Sequence, residues 1–417
     1  MIQQIITILI VLVMTSLVFS PLKFSMFYIL FRPLVQPFAT EHYTLLTSIP
    51  LTGVFPIIVI LYSFVTCSFR KDYTLMVPNA IFLYILIFFS SLSFLYTISY
   101  TDSIFQLLKI ITALALYNLV YNAIKSTKDA KMILLSIVLT SIIPMFTGYY
   151  QFFTKTGHET YFGTAGRATG GFGFANMFGI FLALCFSAVL MLLFQEKGKF
   201  KRICLISILS SIIISSLIAL NRGSWIAISA SILFSIPFYK KKIHVRWFVI
   251  GAVLIGIFFS GLIVERFVAL EEIKHGASQN TFKGRINMWE NIIKLIPQQP
   301  ITGFGIGNSR QIFEKFYGER HVPHNDYLML LLEIGFVGAL LYILFLCLEL
   351  FQYLKLRSEQ KLWFINFPTL MVIFYWIIIS STQNIIHNVT TFPIFLTIIA
   401  TAKRWNEISH KESNEEA

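Results

Sequence analysis

The chain has 417 residues, 56% hydrophobic and only 13% charged, with a mean hydropathy of +0.73. Soluble domains carry about 25% charge, so lipid rather than water is the expected solvent for most of this chain. The formal net charge of +13 has no soluble basic domain to hold it, which excludes a nucleic-acid binder, and four cysteines scattered in or beside apolar runs exclude a disulfide framework or a zinc site.

Apolar runs near 2–20, 50–66, 78–99, 104–123, 130–152 and 173–194 predict membrane helices. Six more follow near 203–220, 223–238, 246–264, 326–353, 363–384 and 387–402. The expectation is an all-α polytopic protein of about twelve transmembrane helices. Residues 1–20 lack a basic leader and an A-x-A-like site, so they read as a retained span. Residues 21–48, with Lys23 and Arg32, read as interfacial, re-entrant or an extra span. One membrane domain is expected over 1–402, containing a long loop at 265–325, followed by a polar, disordered tail at 403–417.

Charge sets the orientation. Alternate loops on one side carry Arg70 and Lys71, Lys125 to Lys131, Lys197 to Arg202, Lys240 to Arg246, Lys355 to Lys361 and the tail's Lys403 and Arg404. The opposite short loops carry only Lys23, Arg32, Lys155, Arg167 and Arg222. This asymmetry predicts that the richer side, with both termini, is cytoplasmic and that the long loop is extracytoplasmic.

Polar residues then gather on the expected outer face. In ERHVPHNDYLMLLLEIGFVG (319–338), His321, His324, Asn325 and Asp326 crowd the mouth of an apolar run. Pro323 suits the first helical position, which puts His324 in the first turn, where the helix dipole favours neutral imidazole. A neutral imidazole can act as a general base. Arg222 lies in the tight turn LNRGSW, Arg167 in the glycine-rich GRATGGFGFANMFG, and Arg285 in KGRINMWENIIKL. The last has Ile286, Trp289, Ile292 and Ile293 spaced for an amphipathic helix. Three arginines converging from separate segments suit bidentate binding of phosphate. Glu333 lies about 15 Å along the helix from Pro323, deep enough to require a partner or a cavity. It supports the site or locks helices together. The glycines of ITGFGIGNS (303, 305, 307) make a tight turn rather than a nucleotide loop, since no strand precedes them and no GK[ST] follows. Aspartate occurs only at 72, 102, 129 and 326. With no spaced outer carboxylate pair, no metal and no cofactor is expected.

HNDYLMLLLEIGFVG (324–338) resembles the HN-x-x-L-x-x-L-x-E-x-G-x-x-G signature of the O-antigen ligase and O-antigen polymerase superfamily. The three arginine blocks resemble that family's other segments, in the same order. The resemblance implies a glycan ligase or polymerase of surface polysaccharide biosynthesis, working on the outer side of a bacterial plasma membrane. Its donor would be an undecaprenyl-diphosphate-linked glycan and its acceptor a glycan or glycolipid hydroxyl. Arg222 and Arg285 would grip the diphosphate, joined by Arg167, and His324 would act on the acceptor. Asn176 would shape the pocket, with His321, Asn325 and Glu333 in supporting places. The alternative is a transporter or flippase for an anionic lipid-linked glycan. Transporters hold substrate near the midplane on broken helices, whereas these residues cluster at the rim.

Overall fold

The computed structural model describes residues 20–36, 44–46, 49–74, 76–77, 79–157, 167–238, 282–318, 322–356 and 360–415. The expected spans near 2–20 and 246–264 and the site candidate His321 lie outside the described residues, or all but so, since only Ser20 of the first is described.

Five of the described helices begin where a polar side chain accepts from a free N–H group of the first turn. Helix α1 (Pro21–Val35) opens with Pro21 in its first turn, and Ser20 accepts from the Lys23 backbone. The stretch 21–48 is therefore helical over its first half. A short antiparallel pairing of β1 (Thr44–Leu46) with β2 (Ile49–Pro50) leads into α2 (Leu51–Phe69) and α3 (Ile81–Leu92). Helix α4 (Tyr100–Ala123) starts at Ser99. Helix α5 (Thr127–Thr140) starts with a reciprocal capping box between Ser126 and Asp129. Helices α6 (Ile142–Thr154), α7 (Ala175–Gln195), α8 (Lys199–Ile218) and α9 (Arg222–Ser235) follow.

The expected long loop contains structure. Helices α10 (Phe282–Leu295) and α11 (Ser309–Tyr317) fill much of its second half. Met288, Ile292 and Leu295 of α10 bury with Ile312, Phe313 and Leu332 in a small separate core. The buried stripe thus differs from the expected one: Trp289 and Ile292 face inward, while Ile286 and Ile293 are exposed.

Helix α12 (Asp326–Lys355) is broken at Gly335, whose φ of 70° and ψ of −166° are not helical. The break frees carbonyl groups, and the glycine turn fills them. Phe304 N–H donates to Leu332 O (2.9 Å), Gly305 N–H to Glu333 O (2.8 Å), and Phe336 N–H to Pro300 O (2.8 Å). A Cβ on Gly303 would lie 2.5 Å from the Glu333 carbonyl carbon, and one on Gly335 would collide with the Ile301 carbonyl. Both glycines are needed for this approach. Glu333 accepts from the Ser309 hydroxyl and backbone, capping α11 from inside the bundle.

Helices α13 (Trp363–Ser380) and α14 (Thr391–Glu415) complete the bundle. Trp376 of α13 stacks on Phe395 of α14 at 4.2 Å and donates to Tyr342 of α12 (2.8 Å). Helix α14 packs along α4 and α5, α13 along α7 and α9, and α12 along α3. The polar tail expected after Lys403 is instead the last three turns of α14, with Lys403, Trp405, Asn406 and Ile408 buried. Lys403 is satisfied by Glu349 at 2.9 Å, which removes the reason for it to reach solvent.

Among the described residues, six stretches are long and apolar enough to cross a bilayer: α4, the run 127–154, α7, α8, α12 and α13. Large apolar side chains point outward from several helices, among them Phe64 and Phe69 of α2, Phe200 of α8 and Phe336 of α12. Such a belt suits lipid contact. Apart from the short β1–β2 pairing, the helical membrane character holds among the described residues.

Candidate functional site

Two of the expected site residues sit in loops built to the same local plan. In Leu220–Asn221–Arg222, Leu220 is left-handed (φ 50°) and Asn221 caps α9, its Oδ1 accepting from Ser224 N–H. In His324–Asn325–Asp326, His324 is left-handed (φ 48°) and Asn325 caps α12, its Oδ1 accepting from Leu328 N–H at 3.1 Å. The left-handed residue turns the chain sharply, and the asparagine then satisfies the first turn. The helix therefore starts at Asp326, and Pro323 does not occupy its first position as the sequence suggested. His324 stands just before the N-terminus rather than within the first turn.

Asn221 has further partners. Its Nδ2 donates to the Asn176 carbonyl (3.0 Å) and to Ser224 Oγ (2.8 Å). A Cβ on Gly179 would come within 2.8 Å of that amide nitrogen, so the glycine clears its place. Arg167 is buried nearby: its Nε donates to Ala219 O (3.2 Å) and one Nη to Asn176 Oδ1 (2.9 Å). Arg222, half-buried at the start of α9, feels the positive charge of Arg167. Arg167, Asn176, Asn221 and Arg222 therefore form one cluster.

The connection between α13 and α14, 381–390, joins this cluster to the others. Arg285 donates to Thr382 O at 3.0 Å. A Cβ on Gly223, next to Arg222, would lie 4.0 Å from Thr382 Oγ1. Asn384 Oδ1 accepts from Asn325 N–H at 2.7 Å, directly after His324. Asn388 reaches Met177, beside Asn176, with Nδ2 3.2 Å from the sulfur. Trp289, one turn after Arg285, donates to Pro323 O (2.8 Å) and ties α10 to the His324 loop. Asp326 fixes the connection: its carboxylate accepts from the backbone N–H groups of Ile385 (2.9 Å) and Ile386 (3.2 Å).

The connection carries no charged side chain, and its neutral amides give no signal in a search for ionisable groups. Only the density of Gln383, Asn384 and Asn388 between two apolar runs marks it. His387 within it is buried. Burial first, and then the charge of Lys109, push its pKa down to about 3, so it is a neutral imidazole across the physiological range. Glu333 lies apart from this assembly, at the α11 cap. Among the described residues no group of three or more His, Cys, Asp or Glu side chains is placed to hold a metal.

Residues 207–343 match the O-antigen ligase family model, a span containing Arg222, Arg285, His324, Asn325 and Glu333. A protein of Rickettsia conorii (strain ATCC VR-613 / Malish 7), provisionally named a polysaccharide ligase, is 26% identical over 187 residues. That alignment covers 42% of this chain and 43% of the relative. A protein of Rickettsia felis (strain ATCC VR-1525 / URRWXCal2) with the same provisional name is 32% identical over 99 residues, 21% of this chain and 23% of the relative. The chain thus aligns with less than half the length of either relative.

Proposed function

We propose that this chain, a member of the O-antigen ligase family through residues 207–343, transfers a glycan from an undecaprenyl-diphosphate-linked donor to an acceptor hydroxyl. It works as a ligase or polymerase of surface polysaccharide, at the outer face of a bacterial plasma membrane, with both termini in the cytoplasm.

The observation that carries this reading is the 381–390 connection. It brings Arg285 onto Thr382 and the His324 loop onto Asn384, with the turn after Arg222 beside the same threonine. Arg222 and Arg285 bind the two phosphoryl groups of the donor, and Arg167 adds positive charge behind Arg222. His324 accepts the acceptor's proton as its oxygen bonds to the anomeric carbon. The bond from that carbon to the diphosphate oxygen breaks, and lipid diphosphate leaves with its electron pair. Negative charge grows on the leaving diphosphate and positive charge on the imidazole. Fixed guanidinium groups stabilise the first without reorganising during the reaction. The base addresses the second. Asn176 and Asn325 hold the loops that present these groups. No metal takes part.

Purified protein in liposomes, supplied with an undecaprenyl-diphosphate-linked oligosaccharide and candidate acceptors, tests this. A covalent acceptor–glycan product with release of lipid diphosphate is expected. Movement of the donor between leaflets without any covalent product would replace this reading with a transporter.

A further inference from the structure

A second basic site lies away from the three arginines. Arg32 of α1 is 5% exposed, yet its Nε and one Nη have no hydrogen-bond partner among the described residues. Its electrostatic neighbour is the phenol of Tyr28, not a carboxylate. Burying a guanidinium without a counter-charge is costly, so such a group is retained where an anion completes it. A cavity of about 10 Å³ opens against it, lined by Tyr28, Arg32, Leu116, Thr390, Pro393 and Ile394. That is room for one oxygen-sized group, too little for a sugar ring.

The surroundings extend the positive field. Lys109 lies two turns from Leu116 on the same face of α4 and interacts electrostatically with both Arg32 and Arg310. His387, a neutral imidazole 9% exposed, adds no charge, and its Nε2 has no hydrogen-bond partner among the described residues. Lys109 also feels the carboxylates of Glu333 and Asp102, which themselves accept from neutral donors: Asp102 from Ser99 and Gln311, Glu333 from Ser309. Arg310 is exposed, Lys109 half-buried and Arg32 buried, so positive charge runs from the surface into the bundle. The site also shares an element with the candidate active site. Thr390 lines the cavity at one end of the 381–390 connection, whose other end holds Arg285 and the His324 loop.

We propose that Arg32, at the cavity lined by Tyr28, Leu116 and Thr390, forms a second anion subsite that takes a phosphoryl oxygen of a lipid-borne phosphate. Resting on the transfer reading above, this makes the acceptor as well as the donor an anionic glycolipid. One phosphoryl oxygen enters the cavity and bonds Arg32.

Binding to the purified full-length protein in neutral-lipid nanodiscs tests this, with farnesyl diphosphate as the lipid-borne probe and inorganic diphosphate as the free one. The background is the Arg222→Gln/Arg285→Gln double variant, which removes the other phosphate site. In it, farnesyl diphosphate should still bind, more tightly than inorganic diphosphate. Adding Arg32→Met should weaken that binding about tenfold or more, the worth of a charge-assisted hydrogen bond. Without probe, the same substitution should leave Tm unchanged or raised, because an uncompensated charge is gone. If Arg32→Met does not fold, Leu116→Phe fills the cavity with the guanidinium in place and should cause the same loss. Unchanged affinity in either folded variant overturns the subsite, and equal affinity for the two probes overturns its assignment to a lipid-borne anion. Glycan transfer is not measured here. An inactive protein that binds leaves the subsite standing, and unchanged affinity leaves the transfer reading standing.

Discussion

Helix α14 and its lead-in meet buried positive charge at two places, handled in opposite ways. Near its far end Lys403, 2% exposed, faces Glu349 at 2.9 Å and donates to the Tyr117 hydroxyl at 3.2 Å. Beside it Asn406 bonds Asn366 (2.9 Å), and Arg404 pairs with Glu407 (2.9 Å). The Lys403–Glu349 pair and one amide–amide bond tie α4, α12, α13 and α14 together, with Glu349 Oε2, Asn366 Nδ2 and Asn406 Oδ1 unpartnered among the described residues. At the other end the 381–390 connection gathers cations against neutral oxygens. Arg285 rests on the Thr382 carbonyl, Arg167 on Ala219 O and Asn176, and Arg32 on no hydrogen-bond acceptor from Nε. Burial alone therefore does not separate structural from functional charge. The described partners differ: at Lys403 a carboxylate closes the charge, whereas the carbonyls at Arg285 and Arg167 orient the guanidinium groups.

The largest way to break this contrast is to empty the carbonyl-oriented end. Arg222→Ala with Arg285→Ala removes two charge-assisted contacts to the donor. Lipid-diphosphate affinity should fall about 10²–10⁴-fold, with transfer falling alongside. Equilibrium binding of a radiolabelled donor reads this directly, and affinity within a fewfold of wild type would remove the diphosphate assignment. Arg222→Lys should rescue only in part, since an ammonium cannot copy the bidentate fork.

At the closed end, Glu349→Ala strands the Lys403 charge and should cost about 3–5 kcal/mol of stability. Glu349→Leu paired with Lys403→Met should restore most of it. Denaturant unfolding in detergent measures both, and a single variant as stable as wild type would show that the pair is not what holds this region. Between the ends, Gly335→Ala sets a side chain at a φ of 70° against the Ile301 carbonyl. A loss of about 1–3 kcal/mol is expected from the backbone alone. An unchanged unfolding midpoint would mean that the α12 break is not needed. The smallest effect is expected from exhaustive chelation, which should leave transfer unchanged. A chelated, inactive preparation restored by magnesium or manganese would contradict that.

How much of this was legible in the sequence follows the same division. Arg222, Arg285 and His324 stood out because a charge at a membrane boundary is rare enough to be noticed singly. The element that joins them did not, because Thr382, Asn384 and Asn388 are neutral, the threonine acting through its carbonyl and the asparagines through their side-chain amides. Apolar periodicity located most helices. It lost the end of α14, where Lys403 and Asn406 look like solvent-facing residues until Glu349 and Asn366 are seen opposite them. Trp405 and Ile408, three residues apart, were the available sign that this stretch had a buried face. The break in α12 was hidden for another reason. Gly335 lies inside a continuous apolar run, and the distant Pro300–Gly305 turn, bonded into the gap, shows that the helix is interrupted there.

The central claim is that His324 performs the chemistry while the arginines hold the donor. Measuring donor binding and single-turnover glycan transfer on one purified preparation of His324→Ala separates the two roles. A positioned general base contributes about 10²–10⁴-fold in rate. Transfer should therefore fall by that factor while lipid-diphosphate affinity stays within a fewfold of wild type. Transfer retained within a fewfold of wild type would contradict the claim, and so would loss of donor binding in step with loss of rate.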